Sequence, residues 1–548
     1  MRDPSLDAGH DQRPARGLAT NSTPESQPRL GRRTFLGALG GGALAALLPI
    51  GLRGGGATSV AARSRRLPAP APFRHPLPIP EVLHGAKLDI PIREAEVGIL
   101  PGEPTRMWTY GGTFPGPTVR RPSGRRTEVT FHHRLPRTAG ELTVHLHGGH
   151  NRSRFDGQPG GLTESHPKSF YCAIPYGLSA SESGNDLLIE PGERRTYVYD
   201  LREDGRSERA SFQWYHDHRL DHTARNVWRG LAGMWIVDDE LNRSLPLPSG
   251  ERDLALMICD RSFDRDNQLT DPFTGRRPPA DGVVGSRVLI NGAYLPHHRV
   301  APQRYRLRLL NVSHFRSYDI HLSNGAPLEQ IGTESGLMPK PIRRGHVLLG
   351  PGERAELVVD FAGASGESVE LRSGRAHGGD GGTKTYVGAL MQFRVGPRRG
   401  PDRTRVPRSL RPLPAWAKHA SPTPDHTWTI SIGGLFKPVW QINGRTFNPA
   451  RSDAFPALDS TVTWEIVNRT GVAHMMHMHH TDWYLLARDG KSPPPWEDCL
   501  KETFFVHPGE RILVAGHFSD YAGKFPIHCH MLDHEDHGLM SQFEVVRT

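Results

Sequence analysis

Cysteine is scarce in this sequence. Its 548 residues contain four, Cys172, Cys259, Cys499 and Cys529, too few for the dense disulfide framework of a small secreted scaffold. Cys529 stands between two histidines and reads as a metal ligand, which leaves room for at most one disulfide. Cys172 and Cys499, both in loop-like sequence, are the pair open to it. Cys259 follows the apolar run 254–258 and reads as a buried free thiol. Long apolar runs are missing as well. The one candidate follows Arg32-Arg33 and is broken by Gly40, Gly41 and Gly42, so it spans a bilayer poorly. A basic stripe with interleaved aromatics is also absent. The formal charge of +10 sits largely in arginine-rich tails and linkers, which argues against nucleic acid as a partner.

What is abundant is turn chemistry. Gly (60) and Pro (48) make up about a fifth of the chain, and Val, Thr and Tyr fall in short runs between them. Such a pattern favours strands and turns over long helices. The length exceeds what one core serves, so about three domains are expected. Residues 1–62 read as a disordered N-terminus and signal peptide. The twin arginine directly before a moderately apolar segment marks twin-arginine export, with cleavage near Ala62 and a periplasmic, cell-surface or secreted destination.

From about Pro76 the sequence repeats. Pro-Gly-Glu-Arg occurs at 191–194, 351–354 and 508–511, each time before alternating apolar sequence. Each copy is preceded by a strand-like element, at Val129, at 305–311 and at 462–468. Each strand-like element is preceded by a turn, at 110–115, 290–296 and 442–449. Three elements in one order, three times, imply three copies of one β-domain. Each is read as a Greek-key β-sandwich, over 76–245, 250–396 and 425–548, with a Pro- and Arg-rich linker at 397–424 running over the surface.

The histidines follow this repeat. In the first copy His145 and His147 precede the Pro-Gly-Glu-Arg element, and His216 and His218 follow it. In the third copy His477 and His479 precede it, and His528 and His530 follow it. The middle copy has no such pairs. On a strand, a His-x-His pair aims both imidazoles at one face. Four pairs in repeat register therefore converge if copies one and three abut. Cys529, between His528 and His530, points to the opposite face. One strand can thus serve two metal sites joined by a few covalent bonds. His474 and His534 supply the imidazoles that, with the Cys529 thiolate, make a trigonal site suited to copper. The axial position falls on Leu539, which cannot coordinate, and strand alternation turns Met540 away.

These motifs resemble those of the multicopper oxidases, in particular the branch of bacterial spore-coat laccases and bilirubin oxidases. The resemblance runs from about residue 80 to the end. It is carried by His-Leu-His-Gly at 145–148, Tyr-His-Asp-His at 215–218, His-Met-Met-His-Met-His at 474–479 and His-Cys-His-x-x-x-His-Glu-Asp at 528–536. Arg225 to Gly233 and Lys501-Glu-Thr503 look similar too. The resemblance implies three cupredoxin-like domains and four copper ions. His474, Cys529 and His534 are then the type 1 ligands, and His145 and His477 the type 2 ligands. His147, His216, His218, His479, His528 and His530 hold the type 3 pair. It also implies one-electron oxidations at type 1, transfer through Cys529, and reduction of dioxygen to water. Asp156 and Glu535 resemble acids that assist proton delivery; the plainer readings are a turn residue before Gly157 and a solvated carboxylate. Two departures stand out: Met475 replaces the usual Pro, and Leu539 the usual axial Met. His150, His222, His480 and His537 fall outside the pattern and are not counted as ligands.

The expected activity is oxidation of phenols, aromatic amines or similar electron-rich organics, with dioxygen as the other small-molecule partner and a monomer as the working unit. A metallo-oxidase of Cu(I), Fe(II) or Mn(II) is the alternative, although no Met-rich insert is present. An electron carrier or copper store needs no dioxygen site, and a copper nitrite reductase lacks the eight-histidine set.

Overall fold

The computed structural model describes residues 71–548 except 165–171, 173–176, 274–281, 376–383, 398–399 and 435–437. The segment read as a twin-arginine signal, and the cleavage expected near Ala62, fall outside the described residues. The described chain is built from β-sheets packed in pairs, with only short helices between strands. In the first pair, the sheet of strands Thr105–Tyr110, Lys87–Val97, Thr127–His133 and Arg194–Tyr199 faces a five-stranded sheet that ends on Ser211–Asp217 and Val144–His147. Ile90, Val129, Phe131, Tyr197, Leu146 and Trp235 fill the space between them. A seven- and a six-stranded sheet enclose the second core, and a six- and a four-stranded sheet the third. The fold is all-β, three cupredoxin-like sandwiches.

The sequence repeats coincide in space. Thr127–His133, Arg304–Asn311 and Ser460–Asn468 each pair in parallel with a preceding strand and antiparallel with the strand that follows Pro-Gly-Glu-Arg. The turns agree as well. Asn291-Gly292 and Asn443-Gly444 both have positive φ at the two central residues, which suits the right-handed twist of a two-residue hairpin. Each asparagine also accepts a backbone N–H from a neighbouring strand at 2.7 Å, Met257 in one copy and Thr429 in the other.

Two points left to the structure concern the cysteines and the segment after Gly396. Cys172 and Cys499 form no disulfide, and none of the four cysteines is in one. Cys499 is buried with its thiol on the Trp496 carbonyl, while Cys172 lies beside Leu220, Phe447 and Met540. The segment after Gly396 is largely exposed and is anchored at a few points. Leu410 is buried against Leu247, Ile331, Leu337 and Val358, Arg411 pairs with Asp239, and Asp402 pairs with Arg252.

Candidate metal centre

Four strand ends build the centre. Val144–His147 runs antiparallel to Ser211–Asp217, with His145 opposite His216. His474–Met478 runs antiparallel to Gly523–Cys529, with His477 opposite His528. The two pairs occupy the same place in the first and third sandwiches. His218, His479 and His530 each lie one residue past a strand end, so alternation orients them only because it persists just beyond the last ladder bond.

The eight imidazoles are buried and meet in three groups: His145, His147 and His477; His147, His216 and His530; His218, His479 and His528. In the last group the Nε2 atoms of His218 and His479 lie 3.2 and 3.1 Å from Nε2 of His528. Outward nitrogens have acceptors. His145 Nδ1 donates to the Asp156 carbonyl, His216 Nδ1 to the Asp217 carbonyl, and His477 Nδ1 to the Glu502 carbonyl. Inward ones do not: His145 Nε2, His147 Nδ1, His216 Nε2, His477 Nε2 and both nitrogens of His530 are buried without a partner. A buried polar atom left unpaired is costly. A set of them aimed at one point, each neutral and each able to donate a lone pair, fits a group of metal ions. Burial above all holds His145, His147, His216, His218, His477, His479 and His530 below the ordinary imidazole range, which keeps them in that form.

The acids around the centre orient the rings. Asp156 is fully buried; its Oδ2 accepts His479 Nδ1 at 2.7 Å, while Oδ1 makes no hydrogen bond and lies 3.6 Å from His145 Nδ1. Burial raises its carboxyl well above the usual range. It is a turn residue too, since Gly157 (φ +80°) lies flat on the His145 backbone. Glu535 is buried, not solvated, with Oε2 3.1 Å from His528 Nδ1 and Oε1 3.7 Å from His218 Nδ1. Burial alone would raise it, but the facing His528 and His218 rings outweigh that and lower it.

Sequence reasoning missed Glu502, Arg354 and Gly352. Glu502 Oε1 accepts His147 Nε2 at 2.9 Å, which leaves Nδ1 of that ring facing the centre. Arg354 binds both oxygens of Glu502. Gly352 (φ +83°) packs on His530 so closely that a Cβ would lie 2.7 Å from the ring. Arg354 and Gly352 belong to the Pro-Gly-Glu-Arg turn of the middle sandwich, which has no ligand histidines of its own. That copy is buried where the other two copies are largely exposed. Its repetition was visible in the sequence; its burial had no local signal.

The second site lies on the other face of the strand Gly523–Cys529. Cys529 Sγ is 3.6 Å from His474 Nδ1 and 3.7 Å from His534 Nδ1, and the two Nδ1 atoms are 3.2 Å apart. One ion with bonds of about 2.0–2.3 Å spans such a triangle. His474 Nε2 is held by Thr470 Oγ1 at 3.0 Å. Burial pushes the Cys529 thiol up to about 12, so only a bound cation makes it a thiolate. Leu539 packs in the same core as Cys529, and its carbonyl accepts the Cys529 N–H at 3.0 Å. Met540 turns into a different cluster with Leu220 and Phe447. Met475 keeps the strand regular, paired with Phe505. Half-buried Trp440 stands 4.6 Å from the His534 ring and 5.0 Å from that of His474. The loop 492–500 folds over Arg344 and Arg488. Of the excluded histidines, His150, His480 and His537 are buried, and none joins a group of three.

A family model described as multicopper oxidase matches residues 417–548, and a second of the same description matches residues 92–169. The chain is 32% identical over 517 residues to a laccase of Haloferax volcanii, an alignment that covers 86% of this chain and 85% of that one. It is 30% identical over 492 residues to a laccase of Bacillus subtilis, covering 81% and 90%. Among solved structures, a multicopper oxidase from Pediococcus acidilactici superimposes with a TM-score of 0.72 at 28% identity, covering 87% of this chain and 93% of that one.

Proposed function

Since the chain belongs to the multicopper oxidase family, and is thus a copper oxidoreductase with dioxygen as acceptor, we propose that it is an exported laccase-like oxidase of phenols, aromatic amines or similar electron-rich organics. Four copper ions are held by this chain alone, as a monomer: type 1 by His474, Cys529 and His534, type 2 by His145 and His477. The type 3 pair is held by His147, His216 and His530 and by His218, His479 and His528. When bound, copper supplies one-electron steps at type 1 and the four-electron reduction of dioxygen to water at the other three ions. The observation that carries this is the convergence of unpartnered, buried imidazole nitrogens into three groups beside a Cys/His/His triangle.

The chain's residues do the rest. Cys529 and its neighbours His528 and His530 join the two sites through a few backbone bonds. Glu502 and Asp156 fix which nitrogen of His147 and His479 faces inward. Asp156, whose carboxyl burial keeps in the protonated range, holds and releases a proton beside the ligand rings, while Glu535, kept ionised by the facing His528 and His218 rings, accepts from them. Trp440 offers an aromatic face against His534, which suits a flat organic donor. All ten methionines among the described residues are at most 2% exposed, so they offer no surface thioether to Cu(I). The twin arginine Arg32-Arg33 supports export of the folded protein. The test is oxygen uptake by the copper-loaded protein with phenols, aromatic amines, bilirubin, Cu(I), Fe(II) and Mn(II). Uptake with organics is expected; uptake with metals alone overturns the reading.

A further inference from the structure

The acids described above each hold a ligand histidine. Three others do not. A narrow cavity of about 20 Å3 lies against His145, His477 and His479, and Glu203, Glu208 and Asp482 line it too. Glu203, in the hairpin formed by residues 202–207, is partly exposed, whereas Glu208 is 5% exposed. One Glu208 oxygen accepts Gln213 Nε2; the other, Oε2, is buried without a partner. Asp482 accepts Ser335 Oγ at 2.6 Å, lines the cavity and is partly exposed. Two partly exposed acids and one buried acid thus line a space shared with three ligand residues.

Structural work does not account for them. No cation pairs with Glu208 among the described residues, and an unpaired buried carboxylate is costly. Glu208 faces Glu203 and Asp482; Asp482 faces Glu203, Glu502 and Arg209; Arg209 faces Arg411 and Asp239. His150, bonded to Asp520, and His480 are the other titratable groups on the cavity besides the ligand histidines. Burial, then the Glu203 charge, pushes Glu208 well above the usual carboxylate range and Asp482 up to about 7. A carboxyl that holds a proton near neutral pH is suited to passing it on.

We propose that Glu203, Glu208 and Asp482 form the path by which solvent protons reach the oxygen-reducing centre. One dioxygen takes four electrons from the donor and four protons from solvent and leaves as two waters. Each proton given up at the inner end is replaced through Glu203, so the carboxyls end a turnover unchanged. The cavity has room for one or two waters, which bridge the carboxyls to the centre. The proposal rests on the chain's being an oxygen-reducing oxidase, not on the identity of its donor.

The test separates the two half-reactions in the copper-loaded enzyme. Glu208→Gln, Asp482→Asn and the double variant are reduced anaerobically by a phenol and then mixed with oxygenated buffer in a stopped-flow instrument, across pH and in D2O. Copper content, visible absorption and the rate of reduction stay as in the unmodified protein. Reoxidation slows at least about 10-fold in the double variant, with a larger solvent isotope effect and an altered pH profile, and Glu208→Asp restores part of the rate. Unchanged reoxidation in rate, pH profile and isotope effect overturns the proposal. If Glu208→Gln fails to retain copper, Asp482→Asn, on a different segment, decides by the same readouts. A wrong donor assignment shows in the reduction phase, a wrong proton path only in reoxidation.

Discussion

Replacing Arg354 with methionine tests how the middle sandwich supports a centre to which it gives no ligand. Arg354 is 1% exposed and donates to Glu502 Oε2 at 2.9 Å, to the Phe212 carbonyl at 2.8 Å and to the Gly352 carbonyl at 3.0 Å. Methionine keeps most of the length and removes every donor. Glu502 is then a buried carboxylate with no cation, a loss of about 3–5 kcal/mol when one partner of such a pair is deleted. The cheapest relief is for Glu502 to take up a proton or turn away, and either weakens its hold on His147 Nε2. Loss of a group that orients a metal ligand typically lowers affinity about 10–100-fold, which is about 1.4–2.7 kcal/mol. Several sandwiches with bound metal do not unfold in two states, so the readout is copper affinity by chelator competition, with electron paramagnetic resonance to follow the type 2 and type 3 ions. Arg354→Met should lose copper from the histidine cluster while the type 1 absorption persists. Adding Glu502→Gln should recover part of the loss, because the unpaired charge is gone. Copper affinity within twofold of the unmodified protein, or no coupling between the two changes, would refute the argument.

Three other outcomes follow from the same geometry. Gly352→Ala places a Cβ 2.7 Å from the His530 ring at a positive φ, so His530 must shift and one type 3 ion should bind weakly, seen as substoichiometric copper and a spin signal from the uncoupled partner. Leu539→Met brings a thioether beside Cys529 and should lower the type 1 potential in a redox titration, since a missing axial thioether favours the reduced metal. Acid should destabilise the copper-free protein below the ordinary histidine range. Burial holds His216 and His474 near 3, against 6.5 for a free imidazole, so the unfolded chain binds more protons between those values and stability falls as pH drops from 6.5 toward 3. An acid titration of circular dichroism shows this, and a midpoint unchanged by His216→Gln and His474→Gln would contradict it.

The convergence of the paired histidines was legible because two periodicities coincide. Strand alternation put each His-x-His pair on one face, and the Pro-Gly-Glu-Arg repeat placed the pairs at equivalent strands, His145 opposite His216 and His477 opposite His528. The fold was legible for the same reason, since Asn291-Gly292 and Asn443-Gly444 mark matching hairpins. Glu502, Arg354 and Gly352 were not. Glu502 lies 355 residues from His147 in sequence, and nothing local distinguishes a buried Pro-Gly-Glu-Arg turn from an exposed one. Whether Cys172 and Cys499 pair was open in the sequence, because loop-like sequence says nothing of separation; Cys499 is buried with its own partner. The first-sandwich counterpart of Cys529 is Asp217. It is a hydrogen-bond hub instead of a ligand, accepting from Thr143 N, Arg219 N and Asn226 Nδ2.

Electron entry through Cys529 is the centre of the account, and oxygen uptake by the copper-loaded Cys529→Ser variant tests it most directly. The unmodified protein should consume one dioxygen for every four one-electron oxidations of a phenol and release no hydrogen peroxide. The variant should keep copper in the histidine cluster, lose the visible absorption of the Cys529 site and take up no oxygen with the same donor. Full uptake in the variant would contradict the assignment of both sites.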